Sequence, residues 1–534
     1  MTTAWMNATI YTGEDFAEAI LTEDGRIKQV GSAEDILSSS PDRVVDLNGR
    51  FVLPGFNDSH LHLRHLGKQL QSLSLSGTKS IQELIVRSRQ YLKDHPDRSR
   101  VALTGSGWNQ DQFSEKRFPT KEELDQISSE IPVALTRVCG HVAVVNSRAL
   151  EVLGLDASTP NPPGGIVEKK HGELTGLLKE TALDYLGPLY PELTSEDLRS
   201  QFQAAFSAAV ELGVTSAQSN DLSGSNTQAL AIWNLLLDMD QKGQIPLRLT
   251  QQLALDTFEE LDAFFEEAKQ PPSDHLSMGP IKLYKDGSLG ARTALMQKDY
   301  ADCPGERGTD ALSDESIRKV LSWAQENDRG VIIHVIGDGA LERVLNLYEE
   351  TEDPSRHGLV HCQISTKAQL ERIKEIGCYV LAQPIFFDYD LKVLVDRVGD
   401  ELAATSYAFG TLMRKGVSVS LGTDCPVEGV NPLPNLYCAI ARTDLEGKPD
   451  GGFHPEHAMT LSEAIRAYTA ESAFQEGHAD NKGKLAPGYL ADFVVLQHDP
   501  FQEKPDALLR NRVVMTVIGE KIVYTHHGER STTR

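Results

Sequence analysis

Eight short apolar segments recur along the middle of this chain, separated by polar loops and amphipathic stretches, and that alternation is what most restricts the fold. They are GFNDSHLHL (55–63), GVTSAQS (213–219), PLRLTQQLAL (246–255), GPIKLYKDG (279–287), GVIIHVIGDG (330–339), HGLVHCQ (357–363), CYVLAQP (378–384) and GVSVSLGTD (416–424). Stretches such as SIRKVLSWAQEN and TKAQLERIKEIG lie between them. In the latter, Leu370, Ile373 and Ile376 fall at helical spacing and Gly377 marks the stop. Eight strands alternating with helices predict an α/β fold, a (β/α)8 TIM-type barrel over 56–479, with a doubly wound open sheet as the structural alternative.

Two regions do not fit that repeat. Residues 66–200 are too long for one crossover and carry strands of their own, VALTGSGWN and PVALTRVCGHVAVVN, with a Gly-Pro-rich segment TPNPPGGIVEKKHGELTG. They predict a large insertion after the first barrel strand, an inserted subdomain over the active site, because loops at that face of a barrel carry function. Both chain ends are β-rich: AWMNATIYTG, AEAILTEDGRIKQVG and RVVDLNGRFVLPG at one, KGKLAPGYLADFVVLQHD and RVVMTVIGEKIVYTHHG at the other. Residues 1–55 plus 480–534 are therefore expected to form one small β-sandwich domain.

Composition narrows the function. With 77 acidic against 52 basic residues, the net charge of −25 argues against nucleic acid and against anionic membranes as partners. No apolar run approaches the roughly 20 residues of a membrane span, and the N-terminus lacks the basic start and apolar core of a signal peptide. Cys139, Cys303, Cys362, Cys378, Cys425 and Cys438 show no CxxC spacing, which fits reduced cysteines and a cytoplasmic location.

The chemistry starts at His60 and His62. Residues two apart on a strand share a face, so both imidazoles point one way near the strand's end. Alone, such a pair is as well explained by chance among 16 histidines as by a metal. The fourth segment adds Lys282, a residue costly to bury unless paired or modified. The fifth adds His334, the sixth His361 and the eighth Asp424. Each one alone reads as a core residue or a helix cap. Together, at matching ends of barrel strands, they predict a metal site.

These segments also carry a resemblance. PGFNDSHLHL, GWNQ, CGHVAVVNSRAL, PGGIVE, ELGVTS, IKLYKDGSLGARTA, HVIGDGA, HCQ, LGTDCPVEGVNPL and KGKLAPGYLADFVVL together resemble the amidohydrolase superfamily, in the family 3 branch that includes N-substituted formamide deformylase. The resemblance covers nearly the whole chain. It implies that His60 and His62 hold one metal, that His334 and His361 hold a second, and that Lys282 is carboxylated and bridges the two. It implies that Asp424 contacts metal and acts as general base. Lys285 remains the alternative to Lys282. One or two divalent ions per chain are implied, with Zn2+ best suited to imidazole ligands. The implied reaction is cleavage of a C–N amide-type bond (N-substituted formamide, N-acyl amine or cyclic amide) by metal-activated hydroxide, a hydrolase activity outside peptide bonds. The alternatives are hydrolysis of an ester or carbamate, or a non-catalytic metal-containing binding or regulatory protein. The partner is a small-molecule substrate, and a homodimer is expected on general frequency.

Residues around this set have two readings each. Trp108, beside Asn109, is a substrate wall or a packed core residue. His141 is, on the resemblance, a substrate or oxyanion contact, and on residue type a buried structural histidine. Arg292 binds a substrate carboxylate or pairs with Asp286, which with Ser288 belongs to a loop facing substrate. Asp338 is expected to orient the His334 loop. Glu180 divides between surface helix and pocket, and nothing supports a nucleophilic role for Cys425.

Overall fold

In the computed structural model, residues 1–96, 101–190 and 193–526 are described. The chain divides into two compact units, Met1–Leu66 with Phe202–Arg534, and Gly67–Gln201.

The first unit contains eight parallel strands in sequential order: Phe56–Leu61, Val214–Ser223, Arg248–Ala254, Leu276–Tyr284, Val331–Val335, Gly358–His361, Tyr379–Ala382 and Val419–Leu421. These are the eight apolar segments of the sequence. Helices such as Asn226–Gln241, Asp314–Glu326, Asp338–Glu349 and Lys367–Ile376 connect successive strands. The last of these begins on a Thr366 capping box and ends on left-handed Gly377. Strands covered on both faces are shielded from water, and the first, sixth, seventh and eighth barrel strands are buried along their whole length. The barrel closes just past the eighth strand: Asp424 N donates to His60 O at 2.8 Å, and His62 N to Cys425 O at 2.7 Å. Gly422 lets the two strands approach, since a Cβ there would lie 2.6 Å from His60 N.

The chain ends meet in one eight-stranded sheet. Thr2–Tyr11 runs parallel to Arg43–Pro54, which pairs antiparallel with Phe493–Leu496, followed by Val513–Ile518 and Lys521–Thr525. Trp5, Ile10, Ile20, Val45, Phe493 and Val517 pack together from both ends of the sequence. Arg248, at the start of the third barrel strand, ties this sheet to the barrel: its Nε donates to Asp492 Oδ2 at 2.6 Å, both side chains being buried.

The second unit is a six-stranded sheet with Leu103–Trp108, Val133–Arg137, Val142–Val145 and Glu173–Glu180 at its centre. Its core holds Trp108, Phe113, Leu124, Val133, Leu135 and Val144.

One buried histidine in the first unit makes the fold sensitive to acid. His357 is 3% exposed, stacks on Tyr348 at 5.2 Å, and accepts a hydrogen bond from Val331 N on Nδ1. Burial pushes it down to about 4. Its contribution is complete above the ordinary histidine value of ~6.5 and is lost as pH falls towards 4, because the unfolded chain takes up the proton first. Urea unfolding at pH 7 and pH 5 should show His357→Gln losing about 2 kcal/mol less than the parent on acidification. An equal loss in both proteins would remove His357 from the account.

Candidate metal centre

Four histidines, one lysine and one aspartate converge at the C-terminal ends of the barrel strands. His60 and His62 end the first strand with ring centroids 5.3 Å apart. His361 lies 5.9 Å from His60, and His334 4.5 Å from His361. Asp424 Oδ1 is 3.1 Å from His62 Nε2 and 3.6 Å from His60 Nε2, and these three residues offer ligand atoms all within 4.8 Å of one another. Lys282 is 1% exposed; its Nζ has no hydrogen-bond partner and lies 3.7 Å from the centre of the Tyr284 ring.

The imidazoles are held from outside. His60 Nδ1 donates to Gln252 Oε1 at 2.7 Å, and that amide is fixed because its Nε2 donates to Ser59 O. His62 Nδ1 donates to Asn220 O at 3.0 Å, and His361 Nδ1 to Gln383 Oε1 at 2.8 Å. His334 uses the other nitrogen, donating from Nε2 to Gly287 O at 3.1 Å. For His60, His361 and His334 the outer N–H settles a tautomer and leaves the remaining nitrogen as a lone pair, while His62 Nε2 faces the Asp424 carboxylate. Burial holds His60 and His361 well below the usual histidine range, and burial with the Lys282 charge takes His334 down to about 3. Burial opposes charge on His62 too, but the Asp424 carboxylate wins and raises it. Burial brings Lys282 down to about 7. Three neutral imidazoles, a fourth beside a carboxylate and an amine near neutrality make a donor set for divalent cations.

The backbone at these positions is unusual. His361 (φ 72°), Cys362 (φ 47°) and Asp424 (φ 54°) are left-handed without being glycine. Such residues cost on the order of 1 kcal/mol each and persist where surrounding structure imposes them.

For Asp424 that surrounding structure is Asp58, which the sequence reading passed over. Asp58 is fully buried and accepts from Thr423 N at 3.1 Å, Thr423 Oγ1 at 2.7 Å and Tyr468 OH at 3.0 Å. Burial pushes its carboxyl up to about 7 against these bonds. It couples the first strand to the turn that aims Asp424. A carboxylate in the first barrel strand, two residues before His60, was the available signal, since such a group needs buried donors. Asp58→Ala leaves those donors unpaired and should cost about 3 kcal/mol or more, read in urea unfolding. A loss under 1 kcal/mol would contradict this.

Lys285 is fully buried, but its Nζ is taken by Leu312 O (2.7 Å), Asp310 (2.5 Å) and Asp314 (2.6 Å), so Lys282 is the lysine beside the histidines. Arg292 pairs with Asp302 at 2.8 Å, not with Asp286. Asp286 accepts from Ile336 N (3.0 Å), Gly337 N (2.8 Å) and Leu295 N (2.9 Å), so it braces the loop after His334. Asp338 instead accepts from Gln297 N at 3.0 Å. In the second unit, Trp108 is fully buried and donates to Leu135 O at 2.9 Å, the packed-core reading. His141 is exposed, with Nδ1 3.1 Å from Glu180 Oε2, so it is not a buried structural histidine. Cys425 is buried and its thiol is pushed up by burial, consistent with no nucleophilic role.

Barrel and donor set together define the class of metal-dependent hydrolases built on TIM-type barrels. The Amidohydrolase family matches residues 43–524. The Bacillus subtilis protein YtcJ is 33% identical over 98% of this chain and 99% of its own. The N-substituted formamide deformylase of Arthrobacter pascens is 25% identical over 97% of each. A crystal structure of an uncharacterized metal-dependent hydrolase from Pyrococcus horikoshii superimposes with a TM-score of 0.77 at 32% identity, covering 95% of this chain and 99% of that one. The chain belongs to the amidohydrolase superfamily, in its family 3 branch.

Proposed function

We propose that this chain hydrolyses a C–N amide-type bond of a small molecule: an N-substituted formamide, an N-acyl amine or a cyclic amide. The observation that carries the reading is the outward tethering of all four histidines, which turns their other nitrogens inward beside one carboxylate and an unpartnered lysine amine. That arrangement fits divalent cations, which imidazole nitrogens and a carboxylate bind together. His60, His62 and Asp424 would hold one ion, His334 and His361 a second. Lys282, carboxylated on its buried Nζ, would lie between them, and Zn2+ suits the imidazoles.

Bound ions supply activation of water and polarisation of the scissile carbonyl. Asp424 accepts the proton of the attacking water and returns it to the leaving nitrogen. Burial keeps His60, His334 and His361 neutral and ready as ligands. A small β-domain built from the one sheet of both chain ends, a cytoplasmic location and a homodimer complete the proposal. Six cysteines without disulfide partners support the reducing location, and no helix among the described residues is long and apolar enough to cross a membrane.

The test is metal per chain on freshly purified protein by plasma mass spectrometry, followed by turnover on a panel of formamides, N-acyl amines, cyclic amides, esters and carbamates. Close to two ions per chain, with turnover confined to the amides, is the expected result. Preference for the esters or carbamates shifts the bond cleaved. Full metal with no turnover on any member supports a binding protein. No metal, before or after dialysis against Zn2+, overturns the reading.

A further inference from the structure

The site as described is rich in acceptors and ligands and poor in donors. The outer N–H groups of the four histidines are already spent on Gln252, Asn220, Gln383 and Gly287. The inner nitrogens of His60, His334 and His361 present lone pairs, and that of His62 is engaged by Asp424. When water adds to an amide carbon, a C–O bond forms and the carbonyl π pair moves onto oxygen. The new negative charge needs a donor already aimed at it.

Tyr284 meets that need. It ends the fourth barrel strand, two residues after Lys282 and therefore on the same inward face. Its ring covers the Lys282 amine at 3.7 Å and lies 5.8 Å from the His334 ring. Unlike the buried lysine beneath it, Tyr284 is 42% exposed, so it stands where a substrate would arrive. Its hydroxyl oxygen accepts from Asn220 Nδ2 at 2.7 Å. Asn220 is also the residue whose carbonyl holds His62. One asparagine of the second strand thus positions both a ligand histidine and the tyrosine. With the hydroxyl's lone pair engaged by Asn220, its O–H remains to donate.

We propose that Tyr284 is a catalytic residue whose hydroxyl donates a hydrogen bond to the carbonyl oxygen as it becomes an oxyanion, with Asn220 as its positioning residue. No proton leaves Tyr284: the proton of the attacking water goes to Asp424 and then to the leaving nitrogen, and the hydrogen bond relaxes when the C–N bond breaks and the carbonyl reforms. The inference rests on the hydrolase reading above.

The test compares the metal-loaded parent with Tyr284→Phe, matched in metal content and in circular dichroism. Two readouts are used: kcat and KM on whichever panel amide the parent turns over, and calorimetric Kd for methylphosphonate, a tetrahedral oxyanion, against acetate, its planar counterpart. Loss of one oxyanion donor lowers kcat by on the order of 10²-fold with KM little changed. It should weaken methylphosphonate by roughly 10-fold while acetate stays within about threefold. Asn220→Ala should move both readouts in the same direction by less.

If the parent is active and either readout is unmoved in Tyr284→Phe, the proposal is overturned: the hydroxyl then has a structural role or does not follow the developing charge. If the parent turns over nothing yet methylphosphonate still loses affinity, the oxyanion contact stands and the hydrolase reading falls. If neither turnover nor that difference is found, both fall.

Discussion

Asp424→Asn is expected to retain its metal and lose about 10²- to 10⁴-fold in kcat, the range a positioned general base contributes. Asparagine is the informative substitution because Asp424 has φ 54°, a conformation that Asn shares with little penalty. The variant keeps an oxygen for Thr423 and Asp58 to aim and removes only the ability to carry a proton. Its Oδ1 can still face His62 Nε2, 3.1 Å away in the parent. Steady-state kinetics beside metal analysis decides the matter. Activity within tenfold of the parent at full metal content would remove Asp424 as the base. A parallel loss of metal and activity would make it a ligand alone.

Lys282→Met is expected to do two opposite things. Removing the bridging side chain should take bound metal from near two ions per chain to near one, and activity down by on the order of 10²-fold or more, the cost of deleting one preorganised electrostatic group. The metal-free protein should become more stable by about 1–2 kcal/mol, because a buried amine without an acceptor costs about 1–3 kcal/mol and its contact with the Tyr284 ring returns only part of that. Methionine fills nearly the same space without a charge. Urea unfolding of the two metal-free proteins, with metal counts on the loaded forms, reads both effects. A less stable metal-free variant that keeps two ions and full activity would make Lys282 an ordinary packing residue.

Much of the site was legible before the fold was known. His60 and His62 share a strand face by simple alternation, and His334, His361 and Asp424 each follow an apolar run where a barrel strand ends. What residue order leaves open is any choice that depends on partners. Lys282 and Lys285 flank the same strand end, and only the salt bridges of Lys285 to Asp310 and Asp314 separate them. Asp286 and Asp338 both border the His334 loop, yet the Ile336 and Gly337 amides donate to Asp286.

The sequence by itself determined the eight-strand repeat, the strand ends where chemistry collects and the residue types that bind metal, because periodicity and composition are local. Tertiary structure alone decided which nitrogen of each histidine faces inward. The groups that settle this are far away along the chain: Gln252 is 192 positions from His60, and Asn220 is 158 from His62. It also decided that Asp58 holds a turn 365 positions later, and that Asn220 and Tyr284 meet across 64. Hydrogen bonds act within about 3 Å. No pattern along the chain can specify a contact that exists only once the barrel has closed.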